Sequence, residues 1–404
     1  MKTNTPYACK RTAWVIGCVL AAGLLGPAQA LVAGTWTPSN IPGTNNWASF
    51  AASADGRKLV AASYDDPTFN PGGIYTSTNA GASWTLTSAP FRFWYAVASS
   101  TNGDKLVAAV SGGGIYTSKD SGANWTQATN APYGVWYSLA SSWDGSKLVA
   151  LSAGANRYIY TSPDAGQTWI SNNVPDSEYW YAVASSADGQ RLVAVSNSNT
   201  NSGAGAIYTS TNGGSIWVSN KLAGINWTGV DSSGDGQKLV TCGSSSELYT
   251  SIDGGLNWKA VAGLSGFFTD VASSGDGSTL LAVANSGRIY TSIDSGANWI
   301  SNNAPALAWQ HATASLDGRV MVAAAPGDQI YTRQSPPPLT FKMTGAQGLL
   351  SWPWPSSGFY LQHSTNVSTT NWQTLAPAPI LSNWQYQATV IRTNPEHFFR
   401  LRGP

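Results

Sequence analysis

Three ionisable residues occupy positions where other copies of a repeated segment carry small side chains. Asp270 and His311 come two positions, and Asp231 four positions, after an aromatic residue that opens a predicted strand. Carboxylates and an imidazole held close together can bind a ligand or an ion, or transfer protons in acid–base chemistry. The alternative is that these groups hydrogen-bond to the backbone of neighbouring repeats, because buried polar groups need partners. The sequence leaves both interpretations open.

Three tyrosines form a second candidate group. Tyr95, Tyr137 and Tyr181 each follow the strand-opening tryptophan in three consecutive copies, whereas the other copies have Ala, Thr or Gln there. Aromatic faces near the rim of a protein can stack on sugar rings, which would make a lectin-like surface. The strand-opening tryptophans recur regularly and are better explained as wedges between repeats, since Trp is usually buried.

Two long irregular segments, Ser63 to Gly73 and Ser196 to Ala206, are predicted to be loops at the same rim. Such loops often carry recognition. The first contains Asp65 and Asp66, which we take as candidate binding residues. Adjacent acids in polar loops are usually solvated, and nothing in the sequence indicates a raised pKa for this pair.

The composition excludes several classes of function. Only 10% of the 404 residues are charged and the formal net charge is +1, so the Lys/Arg density that nucleic-acid binding requires is missing. No His/Cys cluster has zinc-site spacing, no Gly-Lys-Ser/Thr loop suggests phosphate binding, and no Gly-x-Ser-x-Gly motif has strand-to-helix context. We therefore predict no metal, no cofactor and no nucleic-acid partner.

The elements that position these residues come from a repeat with a pitch of about 44 residues. Each copy contains an Asp-Gly or Asn-Gly turn, then an apolar strand, then a segment related to Ile-Tyr-Thr-Ser. The turns begin at Asp55, Asn102, Asp144, Asp188, Asp235, Asp276 and Asp317. The Ile-Tyr-Thr-Ser segments begin at Ile74, Ile115, Ile159, Ile207, Leu248, Ile289 and Ile330. A repeat of this length with four short strands is typical of a propeller blade.

Six copies continue with a second motif, Ser-x-Asp/Asn-x-Gly-x-x-Trp. Its acidic or amide residues are Asn79, Asp120, Asp164, Asn212, Asp253 and Asp294. Asp and Asn accept hydrogen bonds from nearby backbone N–H groups, and Gly adopts the positive φ that other residues avoid. We therefore expect these six residues to shape a turn.

The seventh copy lacks this motif and ends at Thr332, but the N-terminal segment supplies a replacement strand. Trp36 precedes Trp47 by eleven residues, the spacing seen in the other copies. We infer an all-β fold over residues 31–334: a seven-bladed β-propeller of four-stranded blades, closed by the N-terminal strand so that no blade is left open.

The second motif, as in Ser118-Lys119-Asp120-Ser121-Gly122-Ala123-Asn124-Trp125, resembles the BNR/Asp-box repeat. That repeat occurs in sialidases, some xyloglucan-cleaving enzymes, sortilin-type receptors and the photosystem II stability/assembly factor family. The resemblance implies a propeller in which the box residues are structural. The Phe/Tyr-Arg-Ile-Pro motif of sialidases is absent, with only a partial echo at Phe91 to Trp94, so the resemblance does not imply sialidase activity.

Residues 1–30 have the features of a secretory signal peptide. A basic start with Lys2 and Lys10 precedes an apolar run from Ala13 to Leu25 and a small-residue site ending at Ala30. That run is too short to span a bilayer comfortably. Removal of the leader would leave Cys242 as the single cysteine, which excludes an internal disulfide.

The C-terminal segment follows a stiff linker, residues 335–338, that contains three consecutive prolines. Residues 339–404 are predicted to form short strands, at Leu339 to Met343, Gly348 to Trp352, Phe359 to His363, Trp384 to Ile391 and Phe398 to Leu401. This segment resembles the small fibronectin-III-like modules of secreted bacterial proteins, which implies a β-sandwich for presentation or surface attachment. A sugar-binding accessory module is the alternative.

The sequence thus predicts a secreted, periplasmic or surface-located monomer with no membrane span once its signal is removed. We expect a non-catalytic binding scaffold that recognises a protein or a glycan at the mouth of the propeller channel. The alternative is a glycan-active enzyme, a sialidase-like glycoside hydrolase working at the central channel.

Overall fold

A computed structural model describes residues 35–41, 45–65, 70–152, 158–174, 178–197 and 205–335, together with shorter stretches between 339 and 402. The chain divides into two compact units, one comprising Val32–Ser335 and the other containing Pro336–Pro404. All regular structure in the described residues is β-strand. Within those residues there is no helix long and apolar enough to cross a membrane.

The larger part of the chain, Val32–Ser335, repeats one element, which is a run of four antiparallel strands. We call the successive copies of this element units 1 to 7. The strands of units 1 to 4, preceded by the N-terminal strand, are β1 (Thr37–Pro38), β2 (Trp47–Ala52), β3 (Leu59–Ser63), β4 (Ile74–Ser77), β5 (Thr85–Leu86), β6 (Trp94–Ser99), β7 (Leu106–Gly113), β8 (Ile115–Ser118), β9 (Thr126–Gln127), β10 (Gly134–Ser141), β11 (Leu148–Ser152), β12 (Ile159–Ser162), β13 (Ile170–Ser171), β14 (Tyr179–Ser185), β15 (Leu192–Asn197), β16 (Gly205–Ser210) and β17 (Val218–Ile225). Those of units 5 to 7 are β18 (Trp227–Ser232), β19 (Leu239–Gly243), β20 (Leu248–Ser251), β21 (Lys259–Ala260), β22 (Phe268–Ser273), β23 (Leu280–Ala284), β24 (Arg288–Ser292), β25 (Ile300–Ser301), β26 (His311–Ala314), β27 (Val320–Ala324) and β28 (Ile330–Gln334).

Units 1 to 6 each pair their four strands in chain order, and unit 7 is completed by the N-terminal strand. In unit 7 the order is β26-β27-β28-β1, with Thr37 opposite Thr332 and Pro38 opposite Tyr331. Units 2 and 3 share one sheet, because β7 extends far enough to pair with the start of β10. The predicted use of the N-terminal strand as the last partner of the seventh repeat is therefore observed.

The first strands of the units make the inner wall. Each contacts the first strand of the next unit, from β2 through β6, β10, β14, β18 and β22 to β26, and β26 contacts β2. The units are thus arranged in a closed ring. We call the end where the first strands begin the entry end, and the end where they lead into the Asp-Gly or Asn-Gly turns the turn end.

The strand-opening aromatic residues lie between units, as the sequence predicted. Trp94 is fully buried and packs with Val60 and Ile74 of unit 1 as well as with Leu106 of its own unit. The tyrosine of each Ile-Tyr-Thr-Ser segment packs against the aromatic residue of its own unit, with Trp94 and Tyr116 at 5.1 Å between ring centroids. Each pair removes a large apolar area from water at a unit boundary, which holds neighbouring sheets together.

A feature that strict alternation did not predict lies at the start of the first strands. In units 1 to 6 the pairing with the second strand shifts by one residue directly after the aromatic residue, for example between Trp94 and Ala96. This is a β-bulge, in which one extra residue is left unpaired and its side chain is redirected. The bulge residues are Ala48, Tyr95, Tyr137, Tyr181, Thr228 and Thr269.

The Ser-x-Asp/Asn-x-Gly-x-x-Trp segments form the predicted turns. One Asp120 carboxylate oxygen accepts hydrogen bonds from the Ser118 hydroxyl at 2.8 Å and from the Asn124 backbone N–H at 2.8 Å, while the other accepts the Asn124 side-chain amide at 2.7 Å. Gly122 has a φ of 89°. The same contacts recur at Asn79, Asp164, Asn212, Asp253 and Asp294, where the Asp or Asn oxygen accepts from the preceding serine and from the backbone four residues on. These six residues are engaged in building turns.

The C-terminal unit contains two small sheets. Its strands are β29 (Thr340–Thr344), β30 (Gln347–Pro353), β31 (Tyr360–Ser364), β32 (Gln373–Thr374), β33 (Ile380–Ser382), β34 (Gln385–Ile391) and β35 (Phe398–Arg402), in the orders β29-β30-β34-β33 and β32-β31-β35. Leu350, Trp352, Leu361, Ala388 and Phe399 are buried together in one cluster that includes residues of both sheets. Five of these strands match the predicted ones to within two residues at each end.

Candidate functional site

The three candidate tyrosines lie next to one another at the entry end. Because each is the bulge residue of its unit, its side chain reaches round the ring toward the next unit. The ring centroids of Tyr95 and Tyr137 are 5.1 Å apart, and those of Tyr137 and Tyr181 are 5.9 Å apart. Tyr64, which follows β3 in unit 1, extends the series with a centroid 6.0 Å from that of Tyr95. We call these four residues the tyrosine arc.

The tyrosine arc is partly exposed along its whole length. Within the described residues, the hydroxyls of Tyr95, Tyr137 and Tyr181 make no hydrogen bond to the protein. Burial raises the pKa of Tyr95 and of Tyr181, and the neighbouring phenols and, for Tyr181, the Asp270 carboxylate raise it further. The arc therefore presents aromatic faces, and the hydroxyl groups of Tyr95 and Tyr181 are neutral at physiological pH.

In units 5 and 6 the same bulge position has a different role. The Thr228 hydroxyl donates to the Phe268 carbonyl at 3.1 Å, and the Thr269 hydroxyl donates to the Trp309 carbonyl at 2.9 Å. These threonines tie each unit to the next, whereas the tyrosines in units 2 to 4 leave their polar atoms available. The wall of the ring is therefore asymmetric.

The two inner-wall carboxylates also connect adjacent units. Asp270 accepts the backbone N–H of Val271 with one oxygen and that of Ala312, in unit 7, with the other, both at 2.9 Å. Asp231 accepts the N–H groups of Ser232 and of Ser273, in unit 6, both at 2.8 Å. Both oxygens of each carboxylate thus have backbone partners, as the second of the two sequence interpretations requires.

Serine performs the same task as Asp270 at the equivalent position of other units. Ser49 accepts the Val97 N–H at 3.1 Å and Ser138 accepts the Val183 N–H at 3.2 Å. The bridge between units therefore needs only a small acceptor. The negative charge of Asp270 is not required for this contact.

Burial makes the ionisation of these groups unusual. It raises the pKa of Asp231 to about 6 and that of Asp270 to about 7, where the Asp231 carboxylate adds a smaller raising effect. Burial also lowers the pKa of His311 to about 4, so its imidazole is neutral at physiological pH. Cys242, whose sulfur lies 3.3 Å from the Thr228 hydroxyl, has its pKa raised by burial and, to a smaller extent, by Asp270.

These shifts predict a measurable pH dependence of stability. Because the pKa of Asp270 is higher in the folded state, its contribution to the free energy of unfolding is present below about pH 4 and is lost as pH rises to about 7. The lowered pKa of His311 acts in the opposite direction between about pH 4 and 6.5. The free energy of unfolding should therefore fall between about pH 5 and 7.5. In Asp270→Asn this fall should be smaller by about 1 to 2 kcal/mol, after allowing for the partial solvent exposure of the side chain.

Chemical denaturation across this pH range checks the prediction, with His311→Gln as the matched variant. His311→Gln should steepen the same fall, because it removes the opposing contribution. Asp231 faces Asp270 and titrates in the same window, so part of the wild-type slope should remain in Asp270→Asn. A pH profile that neither variant changes would show that the two residues ionise alike in folded and unfolded chains.

Asp65 and Glu178, two acidic residues in or beside the entry-end loops, have side-chain partners of their own. Asp65 is buried, in contrast to the solvated acid that its loop sequence suggested, and its carboxylate accepts the side-chain amide of Asn46. Glu178 accepts the hydroxyls of Ser196 and Tyr208. Asp66, the other candidate acid of the first loop, lies outside the described residues.

The structure adds exposed aromatic residues that sequence reasoning missed. Phe93, Tyr179 and Phe267 directly precede the strand-opening aromatic residue of units 2, 4 and 6 and are 37%, 38% and 58% exposed. The Phe93 ring lies 5.2 Å from that of Tyr64 and so continues the tyrosine arc toward solvent. The sequence does indicate this exposure. Side chains alternate between the two faces of a strand, so the residue directly before a buried aromatic residue points the other way and is exposed.

At the turn end the ring is closed by backbone hydrogen bonds. In units 1 to 6 the residue before the turn donates its N–H to the corresponding carbonyl of the next unit, at 2.7 to 2.9 Å. The donors are Ala54, Thr101, Trp143, Ala187, Gly234 and Gly275, and the last of them donates to the carbonyl of Leu316. Asp317 completes the series by donating to Ala54 at 3.4 Å. We call this series the turn circle.

The indole ring of Trp143 reaches into the turn circle. A Cβ atom at Gly234 would lie 2.3 Å from its indole ring, and one at Gly275 would lie 3.1 Å away. Trp143 belongs to unit 3 and the two glycines belong to units 5 and 6, so the indole crosses the middle of the ring. The tyrosine arc lies at the opposite end of the first strands, and a ligand reaching the inner wall would enter there.

No metal centre is assembled by these groups. Among the residues that the structure describes, no three His, Cys, Asp or Glu side chains are placed to hold one metal ion. The chemistry of the inner wall is that of aromatic faces, hydroxyl groups and two carboxyls with raised pKa values.

No protein-family model matches the sequence, and no curated protein matches it. Solved structures do match the fold. A structure of YCF48 bound to a D1 peptide aligns with a TM-score of 0.58 at 14% identity, covering 74% of this chain and 97% of that one. A chain of the Kuenenia stuttgartiensis hydrazine synthase aligns with a TM-score of 0.57 at 13% identity, covering 75% and 98%. The GH74 xyloglucanase from Xanthomonas campestris aligns with a TM-score of 0.51 at 18% identity, covering 76% of this chain and 50% of the enzyme.

The fold is a β-propeller. These neighbours include a peptide-bound protein and a glycoside hydrolase, and at such low identity they are informative about architecture alone. The function of this chain is therefore inferred from the residues at its own entry end.

Proposed function

We propose that this chain is an exported, non-catalytic binding protein that holds a segment of a protein or a glycan at the entry end of a seven-bladed propeller. Each unit is one blade, and residues 31–334 form the propeller. Residues 1–30 are a signal peptide, residues 335–338 a linker, and residues 339–404 a fibronectin-III-like sandwich that presents or attaches the propeller. The turn motifs, in which an Asp or Asn oxygen accepts from the preceding serine and from the backbone four residues on, support its assignment to the Asp-box repeat proteins.

The tyrosine arc carries this proposal. It offers four adjoining, partly exposed aromatic rings, and three of its hydroxyls have no protein partner among the described residues. Tyrosine is favoured at binding surfaces because it buries a large rigid area and retains a polar tip. Asp231 and Asp270, by contrast, have both carboxylate oxygens engaged with backbone N–H groups, which supports a structural role for them over a nucleophilic one.

A second candidate function is a glycan-active enzyme, and one observation favours it. Asp270 has a pKa of about 7 and Asp231 of about 6, the range that suits a general acid at neutral pH. Release of a fluorogenic leaving group from glycosides, abolished by Asp231→Asn or Asp270→Asn, would establish the enzyme and exclude the non-catalytic proposal.

The central test of the binding proposal uses the tyrosine arc. Probing peptide and glycan arrays with the full-length protein should yield bound partners without turnover. Tyr137→Leu should weaken the binding of the strongest partner at least about tenfold, because truncating a central aromatic contact costs about 2 kcal/mol or more. Calorimetric titration measures the change.

Ile252→Ser is the matched control, since Ile252 is 74% exposed but lies in a turn motif away from the entry end. It should bind like the wild type. Equal weakening by both variants, or none by Tyr137→Leu, would remove the entry end as the binding site.

A further inference from the structure

The inner wall of the propeller has no basic counterpart to its carboxylates. The seven first strands, Trp47–Ala52, Trp94–Ser99, Gly134–Ser141, Tyr179–Ser185, Trp227–Ser232, Phe268–Ser273 and His311–Ala314, contain two aspartates, one histidine and no lysine or arginine. His311 is neutral at physiological pH. Charge on Asp231 and Asp270 is therefore offset by backbone N–H groups alone within these strands.

The tyrosine arc and the two aspartates belong to adjoining first strands. Tyr181 lies in β14 and Asp270 in β22, and β18 of unit 5, which carries Asp231, contacts both of these strands. The tyrosines and the carboxylates therefore lie on one continuous stretch of the inner wall. Asp270 packs closely against Gly229 of unit 5, where a Cβ would lie 3.1 Å from the Asp270 carboxylate oxygen and 3.1 Å from the Cys242 sulfur.

Aromatic faces and carboxylates attract the same kind of ligand. The face of a tyrosine ring carries negative potential and binds ammonium or guanidinium groups, with a gain that grows as water is excluded. A carboxylate without a cationic partner in a partly dry site gains most when such a group approaches. A neutral sugar would stack on the aromatic faces but would not balance the negative charge of the carboxylates.

We propose that the entry end binds a basic side chain, lysine or arginine, of a partner protein, with its cationic group against the tyrosine arc and its charge balanced by Asp270 and Asp231. This rests on the proposed binding function and selects a protein as the partner. The Trp143 indole reaches across the turn end, and the tyrosine arc lies at the opposite end, so the side chain enters past Tyr95, Tyr137 and Tyr181.

The test is calorimetric titration of the full-length protein at about pH 8, where both carboxyls are largely ionised. The probes are Nα-acetyl-lysine N-methylamide, its arginine equivalent, the uncharged norleucine equivalent, and cellotetraose. At least one cationic probe should bind at least about tenfold more tightly than the norleucine probe, and its binding should weaken as NaCl rises from about 0.05 to 0.5 M.

Two sets of variants separate the contribution of the tyrosine ring from that of the two carboxylates. Tyr137→Phe keeps the ring and should bind the cationic probe within about twofold of wild type, whereas Tyr137→Leu should lose at least about fivefold. Asp231→Asn/Asp270→Asn should lose at least about tenfold. The salt dependence of the wild type supplies the electrostatic readout if that double variant fails to fold.

Three results would overturn this inference: no saturable binding of either cationic probe, equal binding of the norleucine probe, or binding independent of salt. Tighter binding of cellotetraose that depends on Tyr137 but not on the two aspartates would also overturn it, while leaving the binding function of the entry end intact. Failure of the proposed function itself would appear separately, as partner binding that Tyr137→Leu does not change.

Discussion

Replacing Trp36 with alanine should lower the free energy of unfolding by about 3 to 5 kcal/mol. Trp36 is 4% exposed and packs with Leu281 of unit 6 and with Trp309 and Met321 of unit 7. Its ring centroid lies 6.4 Å from that of Trp309. Because Trp36 directly precedes β1, the strand that pairs with the outer side of β28, its loss should also loosen the closure of the ring. Chemical denaturation followed by circular dichroism measures the change.

Two controls identify the cause. Trp36→Phe should lose much less, because the indole N–H of Trp36 is buried without a hydrogen-bond partner among the described residues. Thr37→Ala should cost less than about 1 kcal/mol, since it removes a single hydrogen bond of 3.2 Å to the Thr332 carbonyl from an exposed residue. A loss for Trp36→Ala as small as that for Thr37→Ala would mean that the N-terminal strand contributes little to the stability of the ring.

The second large effect is expected at the turn circle. Gly234→Ala should destabilise the protein by about 2 to 3 kcal/mol, because the added Cβ would lie 2.3 Å from the indole ring of Trp143. The backbone of Gly234 is itself held in place, because its N–H donates to Gly275 and its carbonyl accepts from Ala187, both at 2.7 Å. The methyl group therefore cannot be relieved by a small backbone shift without breaking the turn circle.

A double-mutant cycle distinguishes this clash from a general intolerance of the site. Trp143→Ala/Gly234→Ala should be more stable than the sum of the two single losses predicts, by about 1 kcal/mol or more. Ala187→Ser, at the equivalent position of unit 4, should change stability by less than about 0.5 kcal/mol. Strict additivity of the two single changes would show that the indole does not occupy this space in solution.

Most of the architecture could be predicted from the sequence, because the same turns, strands and motifs follow one another in the same order in every repeat. The spacing from Trp36 to Trp47 predicted the pairing of the N-terminal strand, and the recurrence of Ile-Tyr-Thr-Ser predicted the third strand of each unit. In the C-terminal part, five short strands, among them those with Trp352 and Phe399, were located to within two residues at each end. Each of these signals is local or repeats at a constant interval.

The features that the sequence did not predict depend on contacts between distant units. Tyr95 and Tyr137 form an arc because of a β-bulge, and a bulge is defined by pairing with a second strand. Trp143 directly precedes the Asp144-Gly145 turn, which is like the turns of the other units. Its indole lies close to Gly234 only because the ring arrangement brings the turns of units 3 and 5 near each other. For Asp231 and Asp270 the sequence left two interpretations, and the backbone partners in the next unit could be identified only from the register of β22 and β26.

The pairing of β1 with β28 also orders the events of folding. Thr37 and Thr332 are 295 positions apart in the chain, so they can meet only when almost the whole repeat array has been synthesised. Each unit pairs strands that are close in sequence and can form early, while closure carries the entropy of a very long loop and is intrinsically slow. Until closure, the outer edge of β28 remains open to other chains. The interval between synthesis of the last unit and capture of the N-terminal strand is therefore the period when this protein is most vulnerable to aggregation.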